Sequence, residues 1–342
     1  MVQRRPTSFD IAELAGVSQP TVSRALSGNS SVSAETRARV LAAAERLQYK
    51  VDKNASGLRR QHSRTLALLF FEDLSPEDSL INPFYLSMLG SMVRCCAARG
   101  YDLLISFQQL SSDWHVDYED SRKADGIILL GYGDYLLYRP RLEKLIEQGT
   151  HFVRWGSPRE GEIGTTIGSD NEGGGFAATE HLLSAGRRRI AFFGSASPAY
   201  PEMLDRWLGY CRAHEKAEVG VDPTLRFDAL PSEEAGARAA GDLLASGAKF
   251  DGVFASSDLA AIGAMRVLQE AGCRVPADVA IVGFDDLAAA RSARPSLTTV
   301  AQDARLAGES LVVALIEAVE KSTATSQLLP VELKVRGSTV AG

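Results

Sequence analysis

The stretch from Thr7 to Gly28, TSFDIAELAGVSQPTVSRALSG, constrains what this chain can fold into more than any other. Two short helical patterns flank a turn. In the first, Phe9, Ala12, Leu14 and Ala15 fall toward one helical face. Thr7 can cap that helix, with Asp10 three residues on to answer it in a weaker form of the capping box. Gly16 supplies the permissive backbone of the turn. Ser18 can cap the second helix, and Pro20 sits in its first turn, where a missing N–H costs nothing. Val22, Ala25 and Leu26 form its buried stripe, which leaves Gln19, Pro20, Thr21, Ser23 and Arg24 facing outward near its N-terminal end. The pattern predicts a helix-turn-helix, a shape that reads DNA. An ordinary helical hairpin would look similar, so the neighbouring residues decide.

Three features favour DNA. Residues 1–60 carry ten Lys or Arg against five acids, near +5, while the whole chain has a formal charge of −6. A basic head on an acidic body is expected where one end meets polyphosphate and the other is repelled by it. Ser33 caps a third helical run from Ala34 to about Leu47, with Val40, Leu41, Ala44 and Leu47 on one side and Arg37, Arg39 and Arg46 largely elsewhere. Three short helices can enclose a core that two cannot. The polar, basic linker after Tyr49 then contains one conspicuous apolar residue, Leu58, suited to wedging between base steps in a minor groove.

The whole chain of 342 residues is of globular composition, 45% apolar, and exceeds one ordinary domain. No stretch approaches the ~20 apolar residues of a membrane span, and MVQRRPTSFD lacks the apolar core of a signal peptide, so the expected location is the cytoplasm. Cys95, Cys96, Cys211 and Cys273 have neither metal-site nor C-x-x-C spacing and read as reduced thiols. No metal or cofactor is expected. Gly194-Ser-Ala-Ser197 is not a nucleophile elbow, Glu180-His181 lacks a second zinc histidine, and Gly173-Gly-Gly175 lacks the Lys-Ser/Thr of a phosphate loop. With no nucleophile–base pair, the chain does not read as an enzyme.

From Arg64 onward, apolar runs alternate with helical patterns. The runs are 65–71, 101–107, 126–131, 151–155, 189–194, 252–255 and 279–284. Repeated βα units imply α/β architecture, with parallel sheets covered by helices on both faces. About ten strands over some 275 residues suggest two doubly wound sheets rather than one. Such sheets bind ligands at the carboxyl ends of their strands, so two of them facing one another make a cleft. Trp155 ends one run, where an indole could stack on the apolar face of a sugar. Asp285 ends another, where a carboxylate could accept hydrogen bonds from two adjacent hydroxyls. Ser257 and Asp258 follow a third; Asp258 reads as the cap of the next helix.

Over nearly its whole length the chain resembles the lac-repressor (LacI/GalR) family of bacterial transcription regulators. The resemblance rests on residues 10–28 and 32–49, on Ala55 and Leu58, and on later blocks. These are Asn82–Tyr85, Ala124–Ile128, Ser257-Asp258, Gly263–Arg266, VGFDD at 282–286, Leu297–Val300 and Leu329–Val331. It implies a three-helix head and hinge over residues 1–61. It also implies a two-lobed core of periplasmic-binding-protein type over 62–342. The N-lobe would span about 62–168 and 301–328, and the C-lobe about 169–300 and 329–342.

It further implies a DNA-binding set of Thr7, Ser18, Gln19, Pro20, Thr21, Ser23, Arg24, Tyr49, Ala55 and Leu58. Within that set, Gln19 and Pro20 occupy positions that vary between operators, Tyr49 touches the DNA backbone, and Ala55 with Leu58 belongs to a hinge helix. Gly57 and Val51, where many relatives have proline, make that hinge helix one that forms only on DNA. The implied effector set is Phe84, Tyr85, Trp155, Arg206, Ser257 and Asp285, with Phe84 and Tyr85 as an aromatic wall and Arg206 reaching into the cleft. Many relatives have Asn at position 257.

The expected function is that of a homodimeric repressor released from a pseudo-palindromic operator by a sugar or glycoside. A purine or sugar-phosphate corepressor is the alternative, and a sugar-binding transport protein the alternative of another class. With Leu58 as a wedge, Leu58→Ala should lose affinity for the specific operator about tenfold more than for bulk DNA, because apolar insertion is used only where the duplex is kinked. Equal losses on both duplexes in a binding titration would rule the wedge out.

Overall fold

The computed structural model describes residues 6–26, 29–49, 62–71, 81–131, 133–159, 161 and 163–340. The hinge residues Val51, Ala55, Gly57 and Leu58 lie outside the described residues. The chain divides after Ser63 into a small head and a large core.

The head is three helices, α1 (Ser8–Ala15), α2 (Gln19–Leu26) and α3 (Ala34–Arg46). Thr7 starts α1: its amide and its hydroxyl both donate to Asp10 Oδ2, at 2.6 and 2.7 Å. Gly16 ends it in the left-handed region, φ 64°, which only glycine adopts without cost. Ser33 Oγ accepts from the Thr36 amide and caps α3. The core is Ile11, Ala12, Ala15, Val22, Ala25, Val40, Ala43 and Ala44, with Leu26, Leu47 and Tyr49 packed on it. The phase of two helices corrects the sequence reading. Phe9 (71% exposed), Leu14 and Leu41 point to solvent. Ile11 and Ala43 take the buried stripes instead; Phe9 and Leu41 each stand two residues from them, about 200° round the helix.

The core unit holds two six-stranded sheets. In the first the order is β11 (Gln327–Leu329), β5 (Thr165–Ser169), β4 (Phe152–Trp155), β3 (Ile127–Leu130), β1 (Thr65–Phe70), β2 (Asp102–Phe107). In the second it is β12 (Val331–Lys334), β10 (Thr298–Gln302), β9 (Ala280–Asp285), β8 (Gly252–Ala255), β6 (Ile190–Phe193), β7 (Arg226–Phe227). All pairings are parallel except that of β12 with β10. Leu-, Ile- and Val-rich runs buried on both faces are what a covered parallel sheet requires.

One face of the first sheet packs on α4 (Pro83–Ala98) and α11 (Ala304–Lys321), the other on α5 (Tyr135–Glu147). The second sheet lies between α6 (Asn171–Ser184) with α7 (Pro201–Lys216) on one face, and α8 (Glu233–Ala245) with α9 (Asp258–Glu270) on the other. A short α10 (Ala288–Ser292) follows β9. The chain passes between the sheets three times: from β5 into α6, from β10 into α11, and from β11 into β12. This is the doubly wound α/β core that the alternation of apolar runs implied. Five strands were not among those runs: β5 (TTIGS), β7 (RF), β10 (TTVAQ), β11 (QLL) and β12 (VELK) are short or threonine-rich.

Two glycines let α6 and α7 touch backbone to backbone. A Cβ on Gly175 would come 2.2 Å from the Arg206 carbonyl oxygen, and one on Gly209 would come 2.1 Å from that of Glu172. Gly209→Ala should therefore force the helices apart and cost about 1–3 kcal/mol as overpacking. An unchanged urea midpoint would show that the contact can relax freely.

Candidate functional site

Each lobe contributes strand ends and helix starts to one cluster. On the N-lobe side Asn82 caps α4, its Oδ1 accepting from the Phe84 amide at 2.9 Å, and Pro83 occupies the first turn. That fixes Phe84 and Tyr85 at the helix entrance. Phe84 is buried, its ring 5.6 Å from Trp155 at the end of β4 and 5.8 Å from Tyr85. The expected wall is thus a packed triad in which Phe84 is a core residue covering one side of the indole. Burial, together with the negative charges of Glu202 and Asp285, pushes the Tyr85 hydroxyl well above its usual range.

On the C-lobe side Arg206 is almost wholly buried. Its Nε donates to Asn171 Oδ1 at 2.8 Å, its Nη1 to the Ser256 carbonyl, and its guanidinium carbon lies 3.7 Å from the Phe284 ring centroid. Burial lowers its affinity for the proton, while the charges of Asp285 and Glu202 raise it. Asp285 ends β9 with φ 121°, and Asp286 follows with φ 55°. Both are left-handed for non-glycine residues, the kind of backbone cost that tends to be tolerated at ligand sites. Arg336 Nη2 secures this corner on Asp286 Oδ1 at 2.5 Å. Gln302, at the end of β10, donates to Asp285 Oδ1 at 2.7 Å. A cavity of about 490 Å³ adjoins Asp285 and Gln302 and is walled by Pro83, Ser87, Leu259 and Arg291 among others.

The structure reassigns the pair after β8. Ser257 is the cap of α9, its hydroxyl oxygen accepting from the Ala260 amide at 3.2 Å. Asp258 is not that cap. It is fully buried and receives the Thr299 hydroxyl at 2.5 Å and the Leu287 amide at 2.7 Å, tying the turn after β9 to β10. Burial and the nearby Asp285 raise its ionisation well above the carboxylate range. Sequence reasoning passed over Gln302, Asn171 and Glu202. The rule of strand ends would have found Gln302 had β10 been recognised; Glu202, in the first turn of α7, carries no such signal.

In the head, Ser18 pairs its hydroxyl with that of Thr21 at 2.9 Å instead of capping α2 by its side chain. Gln19 Nε2 turns back to Ser8 Oγ at 3.2 Å. Pro20 and Arg24 are exposed along α2, and Thr21 and Ser23 half-exposed. Tyr49 is half-buried on the three-helix core. Ala55 and Leu58 lie outside the described residues. Among the described residues no cluster of three or more His, Cys, Asp or Glu could hold a metal, and no helix is long and apolar enough to cross a membrane.

A helix-turn-helix head on a two-lobed α/β core with polar groups converging in its cleft defines a DNA-binding protein that answers to a small molecule. Comparison with known proteins gives the family. Residues 9–52 match the model of bacterial regulatory proteins of the lacI family, and residues 179–339 match a periplasmic binding protein-like domain. The HTH-type transcriptional regulator CelR of Thermobifida fusca is 32% identical over 345 residues, covering 98% of this chain and 99% of that one. Among solved structures, a CelR–cellobiose complex superposes with a TM-score of 0.72 at 31% identity, over 98% of this chain and 100% of that one. The lac repressor dimer bound to operator and the anti-inducer ONPF superposes with a TM-score of 0.83 at 25% identity, over 99% and 100%. The chain belongs to the lacI family and is a DNA-binding transcriptional regulator, as the resemblance implied; the family is one of regulators rather than enzymes.

The site has a pH signature. Burial pushes Asp285 up to about 6, against the pull of Arg206 and Gln302. The folded carboxyl therefore holds its proton more tightly than the unfolded one. The stability this adds is fully present below the ordinary Asp range and is lost as pH rises through about 6. Between pH 4 and 6.5 the unfolding free energy of the native chain should fall by about 2 kcal/mol relative to Asp285→Asn. Parallel pH dependence of the two proteins in urea melts would sink the raised ionisation.

Proposed function

We propose that the chain works as a cytoplasmic homodimeric repressor, released from its operator by a neutral sugar or glycoside bound between the lobes. The observation that carries the ligand class is the Asp285 carboxylate, buried at a strand end and oriented by Gln302. A carboxylate fixed in this way accepts hydrogen bonds from paired hydroxyls, and a ligand lacking them would leave it buried and unsatisfied. Arg206 is already held by Asn171, Ser256 and the Phe284 face, and Glu202 and Asp285 lie within its electrostatic reach. A phosphate entering beside it would face those two carboxylates, with the Arg206 guanidinium already committed. The CelR–cellobiose complex, a relative over nearly the full length, supports a saccharide, and the operator-bound lac repressor dimer supports a dimer on DNA.

On DNA, two copies of α2 would enter successive major grooves of a pseudo-palindrome, with half-sites about one helical turn apart. Gln19, Pro20, Thr21, Ser23 and Arg24 face the bases and phosphates, and the basic residues of the head make the binding salt-sensitive. Thr7, Ser18 and Tyr49 hold the head in register, with Ala55 and Leu58 as the hinge contacts. Phe84, Tyr85, Trp155, Arg206 and Asp285 contact the effector or back the side chains that do, with Ser257 shaping the turn beneath. Effector binding biases the closure angle between the lobes, and the signal is the unequal affinity of open and closed forms, with a coupling of about 1–3 kcal/mol.

A melting-shift screen of the intact chain against neutral mono- and disaccharides, phosphorylated sugars and purines tests the class. A neutral saccharide at a hundredfold excess over its dissociation constant should stabilise by about 2.7 kcal/mol and dissociate an operator recovered by binding selection. Asp285→Ala should keep operator affinity and lose that response. A shift by phosphorylated sugars or purines alone would overturn the reading.

A further inference from the structure

The entrance of α7 is gripped by the opposite lobe. The Oδ1 of Asp205 receives Arg159 Nη2, and its Oδ2 receives the Ser157 hydroxyl. The same Arg159 nitrogen lies 3.4 Å from the Pro201 carbonyl oxygen. Ser157 and Arg159 follow β4 in the N-lobe, whereas Pro201 and Asp205 open α7 in the C-lobe. A second acid and base approach one turn earlier. The place a Cβ on Gly156 would take is 2.6 Å from Arg154 Nη1 and 3.4 Å from Glu202 Oε1, so these two atoms lie within about 6 Å of each other. The backbone joins in as well: the Tyr135 amide, first in α5, donates to the Ala199 carbonyl at 2.8 Å. That amide has no partner within its own helix, as is general for a first helical residue.

We propose that Asp205 is a positioning residue for the effector response: with Ser157 and Arg159 it forms a latch that holds the two lobes closed. The latch brings Tyr85 of one lobe within electrostatic reach of Arg206 and Asp285 of the other. An exposed ion pair would be too weak for this. Here the Asp205 side chain is only 13% exposed and that of Arg159 33%. Two donors on one carboxylate make a charge-assisted, geometrically fixed contact. The next residue in the chain is Arg206, so the helix turn that carries the latch also carries a pocket wall. Asp205 itself meets Ser157 and Arg159 and is outside the set expected to touch effector.

The inference rests on the reading that closure carries the signal, and its test separates the two. Hydrogen exchange at the Tyr135 amide reports the latch in the intact, ligand-free chain, because that amide is protected only by the other lobe. In Asp205→Ala its exchange should accelerate about tenfold or more, in keeping with loss of hydrogen bonds to a charged group, while amides of β3 stay unchanged. Arg159→Ala should do the same, and the charge-exchanged pair Arg159→Asp with Asp205→Arg should recover protection that either single exchange loses. Unchanged exchange at Tyr135 in both alanine variants would overturn the latch. So would acceleration spread equally over β3, which would mark Asp205 as a plain stability residue.

Operator affinity, measured on the selected duplex without effector, reads the second layer. If closure releases DNA, Asp205→Ala should bind operator at least as tightly as the native chain. Faster Tyr135 exchange with weakened operator binding would leave the latch standing and overturn the direction of the proposed response.

Discussion

A guanidinium taken out of water sets the terms for the core of this protein. Arg206 can be buried only because a side-chain amide, a backbone carbonyl, an aromatic face and neighbouring carboxylates replace the water it loses. Each replacement constrains a different element. Asn171 must open α6, Phe284 must lie inside β9, and Gly175 must have no side chain because the Arg206 backbone occupies the space. Asp285 then faces a positive charge and a glutamine amide, which is why a carboxylate can remain there at all.

The same residues explain how much of the molecule could be read from its amino acids. The head and both sheets follow from local periodicity, so apolar runs and caps placed most elements. Periodicity did not fix helix phase: Phe9 and Leu14 looked core-facing, but Ile11 is the residue the neighbouring helices bury. Nor did it mark β5 and β10, whose threonines satisfy a sheet without forming an apolar run. Within the cleft, Trp155 and Asp285 were legible because strand ends in open α/β sheets are where ligands bind, and Arg206 because of its place in a familiar pattern. The partners were not. Gln302 meets Asp285 and Asn171 meets Arg206 only through tertiary folding. Asp258 was misread because either residue after a strand can cap the next helix, and only coordinates show that Ser257 accepts the Ala260 amide.

The division of charge fits the division of labour. The positive head has a small, alanine-rich core of about a dozen residues and presents its polar helix end outward. The larger unit is acidic overall, and Arg206 and Asp285, among its buried charged residues, stand at the cleft.

Three short crossings link the two sheets of the core, after Ser169, after Gln302 and after Leu329. Three attachment points along one border behave like the pins of a door. Swinging about that border is easy, whereas sliding or twisting would strain at least one pin. Gln302 sits on one of these pins and holds Asp285, so that carboxylate is tied to the axle itself. A small rearrangement there becomes a large sweep at the far rim.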